Sequence, residues 1–219
     1  MKDRARAREL ASEFYRKGDP TGWFEQLYRE AEDGKSTIPW ADRRSHPFLA
    51  KFGEERAQLF PGKQALVVGC GLGDDAEQFS AWGCATTAFD ISPSAIRACR
   101  KRFPASSVNY LAADLLSPPA ALHGKFDFVF EANTLQVLPA KLRTQAIRNT
   151  SAFLKSGGEL LVIARGREPH ESEGQMPWPL LRSEFAAFTA AGLAELKFEL
   201  FPDADEPDVR RFAALYRRS

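Results

Sequence analysis

The stretch that decides the fold is ALVVGCGLGDDAEQF, residues 65–79. An apolar run enters three glycines at alternate positions, Gly69, Gly71 and Gly73, and Asp74 and Asp75 follow at once. A glycine turn between a first strand and a helix brings backbone against a ligand at the carboxyl end of a parallel sheet. The dinucleotide fingerprint requires G-x-G-x-x-G; here the spacing is G-x-G-x-G, and Asp74 stands where the last fingerprint glycine belongs. Acids at a helix N-terminus suit the helix dipole, but they repel a pyrophosphate bound at the same place. The charge suits a ligand carrying an ammonium or sulfonium group.

Outward from that stretch, apolar runs at 65–68, 86–89, 108–111, 126–130 and 159–164 read as strands, and helix patterns lie between them at 74–82, 93–102 and 140–154. Strands alternating with helices predict a parallel sheet covered on both faces. A late helix at 182–191 and two strand runs, 194–201 and 209–216, joined by PDADEPD, predict a hairpin at the sheet edge. Residues 1–60 differ. They carry Trp23, Phe24, Tyr28 and Trp40, with one amphipathic helix at the start and another over 22–33. We read 1–60 as a cap on a core of 61–219, not as an independent domain. The opening MKDRARARELASEF is arginine-rich like a transit peptide, but Glu9 and Glu13 interleave with the arginines as on a solvated helix.

A chain of 219 residues with 44% hydrophobic and 27% charged residues is sized for one globular domain. A net charge of +1 gives no general attraction to nucleic acid or membrane. No apolar run approaches the roughly 18 residues of a membrane span. Cys70, Cys84 and Cys99 form no CxxC pair, so buried thiols in a reducing cytoplasm are expected. No cluster of Asp, Asn and His suggests a metal, and a monomer or weak dimer is expected.

Acids close the strands. Asp90 ends the second, in TTAFDIS, placed to accept both ribose hydroxyls of a nucleoside, with Ile91 beside it; capping the next helix is its other reading. Asp114, in YLAADLLS, follows the third strand at adenine height, next to Leu115, and a turn aspartate is the alternative. Glu131 ends the fourth strand, in FDFVFEANTLQVL, with Asn133 after it; cofactor contact, substrate contact and catalysis all stay open for it. The ligand expected is S-adenosylmethionine.

Taken together, VVGCGLGDD, AFDISPSAI, AADLL, FDFVFE and LKSGGELLVI resemble the class I S-adenosylmethionine-dependent methyltransferases over residues 63–216. The resemblance implies a Rossmann-like, seven-stranded, mostly parallel sheet with an antiparallel last strand, and cofactor over the first, second and fourth strands. One departure is Val67, where many members have an acid. A narrower resemblance, to the thiopurine and halide/thiol methyltransferases, rests on VVGCGLGDD, GWFEQLYREAEDGKSTIPW and GQMPWPLLRSEF; Ala41 stands where that group has an acid. It implies Trp40 near the methionine end of the cofactor and Asp75 near its amino group. Core packing is the other reading of Trp23 and Trp40.

The resemblance implies metal-free, in-line transfer of a methyl group to a small molecule, with thiol or halide favoured and oxygen or nitrogen open. Trp23, Tyr28, Arg43, Asn133, Trp178 and the 165–179 loop are assigned to the substrate lid. Arg43 and Arg44 either attract an anion or form a solvated pair. His46, His123 and His170 read as surface residues, and Arg210, Arg211, Arg217 and Arg218 as decoration of a strand edge. A dinucleotide oxidoreductase and a non-catalytic S-adenosylmethionine-binding protein are the rival functions.

Overall fold

The computed structural model describes residues 4–219. Three helices come first, α1 (Ala5–Arg16), α2 (Gly22–Glu32) and α3 (Pro47–Glu54). Then β1 (Gln64–Val68), α4 (Asp74–Ala81), β2 (Ala85–Asp90), α5 (Pro93–Arg102), β3 (Asn109–Ala112), β4 (Phe126–Ala132), α6 (Ala140–Ala152) and β5 (Leu154–Arg167) alternate as the sequence predicts. The chain ends with β6 (Leu180–Leu181), α7 (Ala186–Ala190), β7 (Leu193–Pro202) and β8 (Arg210–Arg218).

Seven strands lie in the order β3-β2-β1-β4-β5-β8-β7, and two-residue β6 pairs alongside the end of β5. Strands β1 to β5 are parallel, and β8 enters antiparallel between β5 and β7. This is the Rossmann-like sheet with an antiparallel last strand. The expected edge decoration is corrected here. β8 is an interior strand, and its arginines are engaged: Arg210 with Glu171, Arg211 with Asp203, Arg217 with Glu159 and Arg218 with the Ser151 carbonyl.

The apolar run of β1 is continuous because both faces are buried. Leu66 and Val68 face the layer of α6 and α7, with Val162, Phe153, Phe185 and Tyr216. Ala65 and Val67 face the opposite layer, with Phe79 of α4, Ile96 of α5 and Leu49 of α3. α3 was not visible in the sequence because it is short and carries a glycine. Pro47 opens it, His46 Nδ1 accepts from Phe48 N–H at 3.2 Å, and Gly53 lets the Trp82 ring pack where a Cβ would sit 1.9 Å away. α3 thus packs in the sheet's own core. α1 and α2 form a separate small cluster, with Leu10, Trp23 and Leu27 fully buried against Met176 of the loop after β5. Among the described residues no helix is long and apolar enough to cross a membrane. Cys70, Cys84 and Cys99 are buried free thiols.

Candidate functional site

The carboxyl ends of β1, β2 and β4, capped by α2 and the 39–48 segment, enclose a cleft of about 710 Å³. That lies well inside the usual range of small-molecule sites, about 300–1,000 Å³. Gly69 and Gly71 line it, while Gly73 sits behind them as the N-cap of α4. Gly71 has φ +55°, and a Cβ there would come within 3.2 Å of Tyr28 Oη. Backbone and aromatic cap therefore approach each other across the cleft at the one position where no side chain intervenes.

Asp90 is 7% exposed at the end of β2. One carboxylate oxygen accepts from Gly71 N–H at 3.0 Å and the other from Ser92 N–H at 2.9 Å. It thereby shapes the glycine turn, while Ser92 Oγ is the cap of α5, accepting from Ala95 N–H. Burial lifts the Asp90 carboxyl to about 6 against these hydrogen bonds. Asp75 also lines the cleft. It accepts from Ser45 Oγ at 3.0 Å and His46 N–H at 2.7 Å, pinning the segment that leads into α3. Burial raises it to about 6. Asp74 is otherwise disposed: Arg102 grips both its oxygens at 2.8 Å. Its charge is answered inside the protein, so the repulsion foreseen for a pyrophosphate rests on Asp75.

Trp40, Tyr28, Ile91, Asp114, Leu115 and Asn133 line the same cleft. Trp40 Nε1 donates to Tyr28 Oη at 2.9 Å, fixing the two rings at 71° to one another. Asp114 accepts from Leu116 N–H at 2.8 Å, a turn bond that leaves its other oxygen to the cleft.

Five expected site residues lie off the cleft surface: Gly73, Glu131, Trp23, Arg43 and Trp178. Glu131 is placed beneath the turn after β4 rather than over the cleft. It is fully buried, and Oε1 accepts from Thr134 N–H at 2.6 Å and Leu135 N–H at 3.2 Å, closing a turn in which Asn133 has φ +68°. Its Oε2 has no partner among the described residues, and burial raises the group to about 7. Trp23 is cap core, stacked on Phe24 at 3.8 Å; Phe24 is the ring that reaches the cleft. Arg43 is exposed, whereas Arg44 lines the mouth and pairs with Asp205 at 2.7 Å. Trp178 packs on Tyr15 at 6.0 Å, and from its loop Met176 and Pro177 reach the cleft.

His46 is half-buried rather than on the open surface. It lines the cleft, and burial lowers it to about 4, so the imidazole is neutral at pH 7. With Nδ1 accepting from Phe48 N–H, the ring proton is on Nε2, and the free edge of the ring is a donor.

Sequence reasoning missed Glu25 and a group of arginines. Glu25 of α2 bonds Ser92 Oγ, Ser94 N–H and Ser94 Oγ at the start of α5, with distances of 2.6, 3.0 and 2.8 Å. Arg4, Arg165 and Arg211 line the cleft beside Asp203 and Glu206. Arg4 lies just before α1, Arg165 near the end of β5 and Arg211 near the start of β8, and nothing in the sequence set β5 against β8.

A methyltransferase-domain family model matches residues 65–158. No curated protein sequence matches the chain significantly. Among solved structures, one from a study of the conversion of a disulfide bond into a thioacetal group during echinomycin biosynthesis aligns with TM-score 0.72 at 20% identity, covering 91% of each chain. The Burkholderia thailandensis 1,6-didemethyltoxoflavin-N1-methyltransferase, solved with 1,6-didemethyltoxoflavin and S-adenosylhomocysteine, aligns with TM-score 0.69 at 15% identity, covering 97% of this chain and 90% of that one. The N-methyltransferase NodS from Bradyrhizobium japonicum WM9, solved with S-adenosylhomocysteine, gives TM-score 0.67 at 21% identity, covering 89% and 98%. Residues 65–158 thus match a methyltransferase-domain model, and the chain as a whole shares the fold of these S-adenosylhomocysteine-binding structures.

Proposed function

We propose that the protein transfers the methyl group of S-adenosylmethionine to a small-molecule nucleophile. The observation that carries this reading is Asp90, a buried carboxylate that shapes the glycine turn and borders the cleft. The residues present fit the cofactor. The donor set pairs acids with its hydroxyls and ammonium group, and Gly71 presents bare backbone to the cleft. In this reading Asp90 accepts the ribose hydroxyls, and Ile91 and Leu115 flank the adenine, whose amino group bonds Asp114. Asp75 and the Trp40 and Tyr28 rings face the methionine end, where aromatic faces attract a cation.

When bound, the cofactor supplies an electrophilic methyl on a sulfonium that is already a good leaving group. The protein's part is alignment and exclusion of water. α2 and the 39–48 segment close the cleft, and their hold on the core runs through Glu25 at α5 and Asp75 at His46. His46 offers a proton donor at neutral pH, and Glu131 lies beneath the turn, so neither provides a general base facing the cleft. An acceptor that needs no deprotonation by the enzyme fits best: a thiolate, a halide or an aromatic nitrogen.

Sulfur or halide transfer is favoured by the likeness of VVGCGLGDD and GWFEQLYREAEDGKSTIPW to the thiopurine and halide/thiol group. Nitrogen transfer is favoured by the toxoflavin and NodS enzymes among the structural relatives. The test is S-adenosylhomocysteine release across thiols, halides, phenols, amines and N-heterocycles, beside calorimetry with S-adenosylmethionine, S-adenosylhomocysteine and NADH. Tighter binding of NADH than of S-adenosylhomocysteine would end the reading. Cofactor binding without turnover of any acceptor class would favour a non-catalytic binding protein.

A further inference from the structure

Arg165 near the end of β5 stands in register with Arg211 of β8. Residues directly opposed on antiparallel strands share a face, and like charges there repel. Both side chains line the cleft and are nearly withdrawn from solvent, 15% and 10% exposed. Arg4, just before α1, brings a third guanidinium. Two carboxylates of the turn between β7 and β8 answer them. Glu206 takes both Nη atoms of Arg4 at 3.2 and 3.0 Å and also bonds Arg165. Asp203 takes Arg211 Nε at 2.6 Å. Within this group three guanidiniums crowd against two carboxylates, with Asp42, Arg44 and Asp205 lining the same cleft.

The arginines differ in how many of their N–H groups are spent. Arg211 spends Nε and Nη2 on Asp203 and Nη1 on Asn133 Oδ1, at 2.6 Å for the last. Arg165 spends only Nη2. Its Nε and Nη1 have no partner among the described residues, and neither is sealed from the cleft. Burial, and then the charges of Arg4 and Arg211, hold the Arg165 guanidinium below the usual arginine range. An anion would relieve that crowding. Arg165 is also held in place, because its N–H donates to Gln136 Oε1 at 2.6 Å, and Gln136 Nε2 donates to Asn133 Oδ1 at 3.1 Å. Beside the cluster the cleft wall is apolar, with Phe48 stacked on Phe201 at 4.6 Å.

We propose that the unspent Nη1 of Arg165 anchors an acidic group of the methyl acceptor, and that the acceptor is a small organic acid, a carboxylate on an aromatic or apolar body. A hydrogen bond between a charged N–H and a carboxylate is among the stronger kinds, and the body lies along Phe48 and Phe201. This deepens the proposed function and rests on it for the word acceptor; the anion site itself does not.

The test is calorimetric titration of benzoate and 2-naphthoate against benzamide and 2-naphthamide, in phosphate-free buffer, with and without S-adenosylhomocysteine. The acids are expected to bind at least about tenfold tighter than the amides, the scale of a charged hydrogen-bond pair. Arg165→Gln should erase that preference while leaving the amides and S-adenosylhomocysteine unaffected. Arg165→Lys, which keeps the charge but moves the N–H donor, should keep part of it. Equal affinity for acid and amide, or an acid preference that survives in Arg165→Gln, overturns the proposal. Failure of S-adenosylhomocysteine to bind would overturn the methyltransferase reading alone, since the acid–amide comparison is read equally without it.

Discussion

Glu25 of α2 grips Ser94 of α5 at two points, its Oε2 accepting from the backbone N–H at 3.0 Å and its Oε1 from the hydroxyl at 2.8 Å. A carboxylate at the N-terminus of a ten-residue helix is favoured by the dipole and by the free N–H groups. Burial opposes the charge, but the bonds from Ser92 and Ser94 outweigh it and lower the Glu25 carboxyl below its usual value. This contact couples the cap to the strand–helix junction that follows Asp90.

Glu25→Ala is accordingly expected to cost about 1–2 kcal/mol of stability, the lower part of the range for charged hydrogen bonds because the site is partly exposed. The sign with pH follows. A lowered carboxyl contributes stability that is present above the unfolded value and lost as pH falls through the folded one. The gap between wild type and variant in urea unfolding should therefore begin to narrow as pH falls past the ordinary glutamate value of about 4.3. A gap that is the same at pH 3.5 and pH 7 would mean that Glu25 acts through packing.

Asp90→Asn keeps the size of the side chain but removes its charge. Cofactor affinity should fall about tenfold or more, as ribose hydroxyls lose a charged acceptor. Calorimetry with S-adenosylhomocysteine checks it. Affinity within twofold of wild type, with unchanged circular dichroism, would leave Asp90 only the task of holding Gly71 and Ser92.

Trp40→Ala should weaken S-adenosylmethionine more than S-adenosylhomocysteine, because only the former carries the sulfonium. A cation–π contact of about 0.5–2 kcal/mol corresponds to a roughly 2- to 30-fold selective loss. Trp40→Phe should retain much of the selectivity, although it removes the bond to Tyr28 Oη. Equal loss for both ligands would assign Trp40 to the packing of the cap.

Glu131 makes the folded protein sensitive to pH in the opposite sense to Glu25. Its folded value is raised to about 7 by burial, from 4.5, so the native state holds its proton more tightly than the unfolded chain does. That contribution is full below pH 4.5 and is lost as pH rises to 7 and beyond. Glu131→Gln, which stays neutral, should flatten the fall in melting temperature between pH 5.5 and 8. The size is on the order of 3 kcal/mol at the upper end. A variant with an unchanged slope would place the pH dependence in Asp75 and Asp90, both raised to about 6 by burial.

The sheet was legible because its strands are buried on both faces. Uninterrupted apolar runs such as 65–68, each followed by a helix pattern, allow few arrangements, and Pro93 after Ser92 marks the start of α5 to the residue. The acids at the strand ends were legible for the same reason, since strand ends in a parallel sheet share one edge: Asp90 and Asp114, at and just past the ends of β2 and β3, line one cleft with Asp75 of α4. What the sequence could not supply is the direction of a side chain beyond a strand end. Glu131 follows the same pattern as Asp90, yet the turn closed by Asn133 draws its carboxylate underneath, and only backbone geometry decides that. Contacts between segments far apart in the chain were equally hidden. Glu25 and Ser94 are separated by 69 residues, and Arg4 and Glu206 by 202. Local pattern carries no information about such pairs. The placement of β8 between β5 and β7, which sets Arg165 against Arg211 at the cleft, belongs to the tertiary structure, because it follows from which apolar faces bury each other and not from the residues beside those arginines in the chain.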